Sequence, residues 1–206
     1  MRELSIPISD EEIRSLKVGD SVTLTGVFVT GRDAVHKWMI ETFVEKTREP
    51  QGDDLEVYEA IKSILDGSLI YHCGPVVAGL DTGDYEFVAA GPTTSIREEP
   101  YQGDVMRHFN LKGVIGKGGM AAQTLKACGE VPAVYFHAIG GAATLIAQSV
   151  KKVLGVHKLD FGVPEAIWVL QVEKFPVVVT MDSHGGSIHD EVEARSRAAL
   201  DGLLAA

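Results

Sequence analysis

The chain has little cysteine: Cys73 and Cys128 are the two thiols among 206 residues. That is too few for a disulfide framework and points to a reducing cytoplasm. Long hydrophobic runs are also missing. No uninterrupted apolar stretch approaches the length that spans a bilayer. The opening residues, MRELSIPISDEE, lack the apolar core of a signal peptide. Positive charge is scarce, with 19 Lys and Arg against 29 Asp and Glu and a net charge of −10. A nucleic-acid backbone needs a basic face and is therefore excluded as a partner. A small anion in a local cationic pocket is not. Repeats, low-complexity tracts and linker-like stretches are absent as well. The expectation is one soluble, cytoplasmic domain over residues 1–206 that binds neither membrane nor nucleic acid.

What is there is apolar mass and glycine. Hydrophobic residues make up 45% of the chain, enough for a sizeable core, and 22 glycines suit tight strand-to-helix turns. LSIPIS alternates like a strand and DEEIRSL reads as a short helix. SVTLTGVFVTG (21–31) alternates with β-branched residues and predicts a strand. RDAVHKWMIETFVEKTRE (32–49) predicts a helix, because Val35, Met39, Ile40, Phe43 and Val44 recur at helical spacing. The acidic stretch 50–68 reads as a loop and a short helix. LIYHCGPVV and YEFVAAG read as strands, each running into a Gly-Pro turn. LKGVIG and PAVYFHAIG predict further strands. MAAQTLKACG predicts a helix closed by Gly129, and GAATLIAQSVKKVL a second one. AIWVLQVEKFPVVVTMDSHG predicts a hairpin turning at Glu173–Pro176, and IHDEVEARSRAALDGLL a final helix. Strands and helices alternate, so the fold class is α/β with an added antiparallel or mixed portion.

Three strand-to-helix junctions each present a cation. In GVIGKGGM the cation is Lys117, among glycines. A phosphate loop fails here, because Leu111 stands where its first Gly belongs and Gly118 where Ser or Thr would hold magnesium. A dinucleotide fingerprint fits Gly116, Gly118 and Ala121, but the following strand ends in Gly rather than the required acid. What remains is an anion seat made of bare N–H groups at a helix start plus an ammonium. In AGPTTSIREEP, Thr93 and Thr94 offer hydroxyls and Arg97 can fork a carboxylate. The bland alternative is a threonine cap and a surface arginine. In GRDAVH, Arg32, Asp33 and His36 share one helix face, so His36 could move a proton with Asp33 fixing its tautomer. The alternative is a capping Asp and an exposed His. Arg32, Arg97 and Lys117 in an acidic chain suit a small polycarboxylate. No paired carboxylates, thiolate cluster or metal-ligand histidine spacing completes a reactive centre.

These motifs, with IYHCGPVV, AIGGAA and GVPEAIWVLQVEKFPVVVTMDSHG, resemble the beta subunit, or C-terminal domain, of class I fumarate hydratase, and the related beta subunit of L-tartrate dehydratase. The likeness runs from about residue 4 to residue 190. It implies a swivelling β/β/α domain, with a mixed sheet flanked by helices, that pairs with a separate alpha subunit. That partner holds a [4Fe–4S] cluster through three cysteines; this chain binds no cofactor itself. The resemblance implies substrate binding by Arg32, Thr93, Thr94, Arg97 and Lys117, and catalytic parts for His36, Thr93 and Lys117. The implied reaction is reversible hydration of fumarate to (S)-malate. Tartrate dehydration, or a non-catalytic module that regulates an iron–sulfur partner, are the alternatives. The exposed partner-facing surface predicts self-association, such as a homodimer, when the chain is made alone.

Overall fold

The computed structural model describes residues 1–205. In chain order its elements are β1 (Arg2–Ser5), α1 (Asp10–Arg14), β2 (Ser21–Thr30), α2 (Asp33–Met39) with a π-helical turn (Ile40–Val44), and α3 (Asp54–Leu65). There follow β3 (Leu69–Tyr71), β4 (Val76–Ala78), β5 (Glu86–Ala89), a 3-10 turn (Ser95–Glu98), α4 (Glu99–Phe109) and β6 (Gly113–Gly116). The chain continues with α5 (Ala122–Glu130), β7 (Val134–His137), α6 (Ala143–Ala147), β8 (Val150–His157), a second 3-10 turn (Leu159–Phe161), β9 (Ile167–Met181) and α7 (Ile188–Leu204). The architecture is a mixed sheet with helices, as the sequence predicts. Among the described residues no helix is long and apolar enough to cross a membrane.

Strands β2, β3, β6 and β7 lie side by side and parallel. Strand β9 runs antiparallel to β7 and also to β2, so the pairing returns to its start and the sheet closes into a ring. Strand β1 adds to the first half of β2, β8 lines the first half of β9, and β4–β5 form a separate pair. Alternation along each strand sorts side chains between two cores. Leu69 and Tyr71, Ile115, Val134 and Phe136, Trp168 and Leu170 belong to one. Their neighbours Ile70, Val114, Tyr135 and Val169 belong to the other, with Val35, Trp38, Ile61 and Met106 from the helices. Phe28, Tyr71 and Phe175, from three strands of the ring, meet edge to face at 5.3–6.0 Å between centroids. Because both faces are covered, GVIG and AVYF read as unbroken apolar runs.

Three predicted elements differ. The helix expected over 141–154 stops at Ala147, and Val150–His157 is strand β8. Register shifts between Val150 and Lys152 and between Val153 and Gly155 insert an extra residue each time. Val150, Val153 and Val156 therefore all pack on the same core at a spacing of three, which imitates a helix. The hairpin expected over 166–185 is instead one strand, β9. Glu173 and Lys174 form a bulge against Leu24–Gly26 rather than a turn, with Lys174 at φ 52° and its N–H taken by Thr25 Oγ1 at 3.1 Å. Gly129 lies inside α5, which runs on to Glu130. Helix α4 has no counterpart in the sequence reading. Pro100 near its start and Gly103 within it disguise it, yet Gly103 is buried and brings the backbone close to Ala127 of α5.

The ring also defines where a ligand could sit. The carboxyl ends of four neighbouring parallel strands lead into Gly31-Arg32, His72-Cys73-Gly74, Lys117 and Ala138-Ile139. Ligands of α/β sheets bind at this end.

Candidate active site

The strand-end loops are hydrogen-bonded to one another. Gly31 N–H donates to Tyr71 C=O at 3.0 Å, and Thr93 N–H to His72 C=O at 2.7 Å. Lys117 N–H donates to Thr93 C=O at 3.2 Å, and Ser95 N–H to Lys117 C=O at 3.1 Å. The segment 93–95 thus extends β6 as a short added strand and sets both threonines beside Lys117. Thr93 Oγ1 is buried and meets no hydrogen-bond partner among the described residues, while Thr94 is exposed. Arg97 is exposed on the 3-10 turn, and that turn packs against α2, which Arg32 begins. Arg32 Nη1 lies 3.2 Å from Glu165 Oε1 and 3.4 Å from Pro164 C=O. The other Glu165 oxygen accepts from Ala34 N–H at 3.2 Å. A Cβ at Gly74 would collide with Arg32 Nη1, so glycine there makes room for the guanidinium. Arg32, Thr93, Thr94, Arg97 and Lys117 therefore gather at one end of the sheet. Among the described residues Arg97 and Lys117 enter no ion pair.

His36 does not join them at the surface. It is fully buried, with Nδ1 2.9 Å from Arg32 C=O and Nε2 2.9 Å from Gln102 Oε1. Asp33 is exposed, so the partner that fixes the tautomer is the Arg32 carbonyl rather than this carboxylate. Gln102 lies equally close to His72 Nε2, at 2.8 Å, and His72 Nδ1 reaches Ser95 Oγ at 2.8 Å, which also accepts from Tyr135 O–H at 2.8 Å. Burial holds both imidazoles below their usual pKa, His72 strongly, with the neighbouring His36 adding to the effect. The donors and acceptors of these groups fix the orientation of the amide. The Arg32 carbonyl accepts only, so His36 Nδ1 carries the proton and Nε2 must accept. The terminus of Gln102 facing the two rings is therefore its NH₂, which donates to both. Any Cβ at Gly116 would strike Ser95 Oγ, so this glycine is required by the network.

Two glutamates follow Arg97, and they differ. Glu99 accepts from Ala121 N–H, Gln123 N–H, Thr124 N–H and Thr124 Oγ1 at 2.7–3.2 Å. The helix start beyond Lys117, expected to seat a ligand anion, is thus occupied by the chain's own carboxylate. Glu98 is fully buried, and among the described residues neither oxygen meets a donor in hydrogen-bonding geometry. Burial pushes its carboxyl up to about 7, although its own backbone N–H, Arg97 and Arg32 favour the charged form; Asp33 opposes it. The sequence reading passed over Glu98, Glu99, Gln102 and Glu165. The available signals were two acids beside a cation, and the four-residue spacing of Glu98 and Gln102.

No group of three or more His, Cys, Asp or Glu among the described residues is placed to hold a metal ion. Cys73 and Cys128 are both buried, and burial pushes each thiol up to about 12. Neither fits the role of a thiolate ligand to a cluster.

The sequence matches the family described as Fumarase C-terminus over residues 2–192. The chain belongs to that family. A Geobacillus stearothermophilus protein provisionally named a class I fumarate hydratase is 49% identical over 193 residues, 94% of this chain but 34% of that protein. This chain therefore spans about a third of that relative's length. A Methanocaldococcus jannaschii protein provisionally named L(+)-tartrate dehydratase subunit beta is 37% identical over 96% of this chain and 95% of its own. The L(+)-tartrate dehydratase subunit beta of Escherichia coli K12 is 35% identical over 90% of this chain and 85% of its own.

Proposed function

We propose that this fumarase C-terminal family member is the beta subunit of a hydro-lyase, binding a four-carbon dicarboxylate and working with a cluster-bearing alpha subunit. The observation that carries this reading is the convergence of Arg32, Arg97 and Lys117 on one end of the sheet, in a chain of net charge −10. Two guanidinium groups and an ammonium supply enough donors for two carboxylates. The reaction proposed first is reversible hydration of fumarate to (S)-malate. The second reading is L-tartrate dehydration, favoured by the two tartrate dehydratase beta subunits that this chain covers almost end to end. The swivelling of this domain against its partner, implied by the family likeness, belongs to the same proposal.

A [4Fe–4S] cluster on the alpha subunit would supply a Lewis acid for the departing hydroxyl. This chain's residues bind and orient the substrate and stabilise the developing charge. Arg32 and Arg97 fork the substrate carboxylates and align the C–H and C–O bonds that break. When a proton leaves carbon the adjacent carboxylate gains charge, and Lys117 with the arginines stabilises it. Thr93 Oγ1, buried and unpartnered, hydrogen-bonds substrate or relays that proton; an unassisted alcohol is a weak base, so the base proper is the partner's. His36 acts behind this layer by holding the Arg32 carbonyl.

The test is co-expression with a cluster-bearing alpha chain and anaerobic kinetics on fumarate, (S)-malate and tartrate. Arg97→Ala or Lys117→Ala is expected to cut turnover at least about tenfold, the loss of roughly 1.4 kcal/mol of transition-state stabilisation. Full turnover by both variants would leave only the non-catalytic, regulatory module standing.

A further inference from the structure

The charges around the strand-end loops nearly balance without a ligand. Arg32, Arg97 and Lys117 are the cations; Glu165 pairs with Arg32, Glu98 lies in the field of Arg97 and Arg32, and Asp33 lies near Glu98. A dicarboxylate adds two negative charges. Three positive groups would then face five negative ones in a partly buried site, which favours neutralising one of the acids. Asp33 is exposed to water, and Glu165 is tied to Arg32 and the Ala34 N–H. Glu98 is buried, and neither of its oxygens meets a side-chain donor among the described residues. It is held as an anion only by its own backbone N–H and the fields of Arg97 and Arg32, the groups a dianion would engage.

We propose that Glu98 is a proton-coupled positioning residue of the dicarboxylate site: its carboxylate counterbalances Arg32 and Arg97 when the site is empty, and it takes up one proton from solvent when a dianion replaces it. The proton returns to solvent when the product leaves, so the net reaction is unchanged. This rests on the dicarboxylate reading above. The groups facing Glu98 fit the exchange. The start of helix α2 brings Arg32 and Asp33, and the 3-10 turn brings Arg97. Helix α4 brings Gln102, one helical turn on, whose amide terminus turned away from the histidines is buried and unpaired. Strand β7 brings Tyr135, whose hydroxyl is pushed up mainly by burial, with Glu98 contributing. None of these neighbours other than the two arginines and the residue's own N–H favours its charge. A carboxyl already raised to about 7 needs only a small further push to be neutral at physiological pH.

The experiment uses the assembled wild-type complex. Calorimetry with succinate, a dicarboxylate that cannot be hydrated, is run at pH 7.5 in two buffers of different ionisation enthalpy. Uptake of about half a proton or more per succinate is expected, and binding with no uptake overturns the proposal. Steady-state kinetics give the second readout. The wild-type KM is expected to rise towards tenfold per pH unit above about pH 7, because binding then requires a proton. Glu98→Gln is expected to give a KM that is flat over that range. A purely structural role would lower kcat or stability and leave the shape of the profile intact. A variant profile superimposable on wild type therefore also overturns the proposal. A complex that neither binds succinate nor acts on fumarate, malate or tartrate rejects the dicarboxylate reading itself, and this inference with it.

Discussion

Gly74 sets where the Arg32 guanidinium can lie. A methyl group there would meet Nη1 on one side and Pro164 on the other, at 3.1 Å from its Cβ and 3.2 Å from its C=O. Proline and backbone cannot yield, whereas the tip of an arginine can. Gly74→Ala is therefore expected to move the guanidinium and leave the fold intact. KM of the assembled enzyme should rise about tenfold, the size of one charge-assisted hydrogen bond, with the melting temperature within a few degrees of wild type. An unchanged KM would mean that Arg32 does not bind substrate from this position. The cations of this site were legible in the sequence because each follows a strand at a turn, and position alone gave their placement. The acids were not legible. What makes Glu98 unusual is the packing of α2, α4 and β7 around it, and no local pattern records that. The burial of His36 was not legible either: its spacing from Arg32 was read correctly, but spacing does not say that the shared face is buried.

Among the elements, those with clean alternation or a clean helical stripe were legible: β2, β6, β7, α2 and α7. Those that bulges distort were not. Strand β8 counts in threes because it bulges twice, and β9 hid a bulge in what looked like a turn. Helix α5 shows a different kind of dependence. Its first turn carries no cap from its own sequence, since Ala121 stands at the cap position, and Glu99 supplies four acceptor contacts from the start of α4. Glu99→Ala removes the cap and leaves those donors facing a partly buried void. A loss of about 1–2 kcal/mol in unfolding free energy is expected, read as a lower urea midpoint at unchanged slope. Glu99→Gln keeps an acceptor oxygen and should recover part of it. Equal losses in both variants would show that charge against the helix dipole, not hydrogen bonding, is what Glu99 contributes.

The molecule's response to pH should combine two opposed contributions. Asp54, on α3, is nearly fully buried. Burial pushes its carboxyl up, but hydrogen bonds from Lys158 Nζ, Gln51 N–H and Trp38 Nε1–H outweigh it and leave the group below its usual range. Its folded-state pKa is depressed, so its stabilisation is present above the ordinary carboxylate value and is lost as pH falls through the lowered one. Lys158, 2.6 Å from Asp54 and also paired with Asp53, is raised in turn. Its contribution persists up to strongly alkaline pH. Glu98 works the other way. Its pKa goes from 4.5 to about 7 on folding, so between these values the unfolded chain sheds a proton that the folded chain keeps, and stability falls as pH rises. The full shift corresponds to about 3.4 kcal/mol at most. Glu98→Gln removes that penalty without touching Asp54. At pH 8 the variant is therefore expected to melt about 5 °C or more above wild type, and the gap should close by about pH 4.5. Asp54→Asn should instead melt below wild type at neutral pH, by a margin that narrows only in acid. Calorimetric scans of the three proteins from pH 4 to pH 8 separate the two limbs. A Glu98→Gln advantage that stays constant with pH would mean that Glu98 does not titrate in this range, which would remove the physical basis of proton-coupled binding.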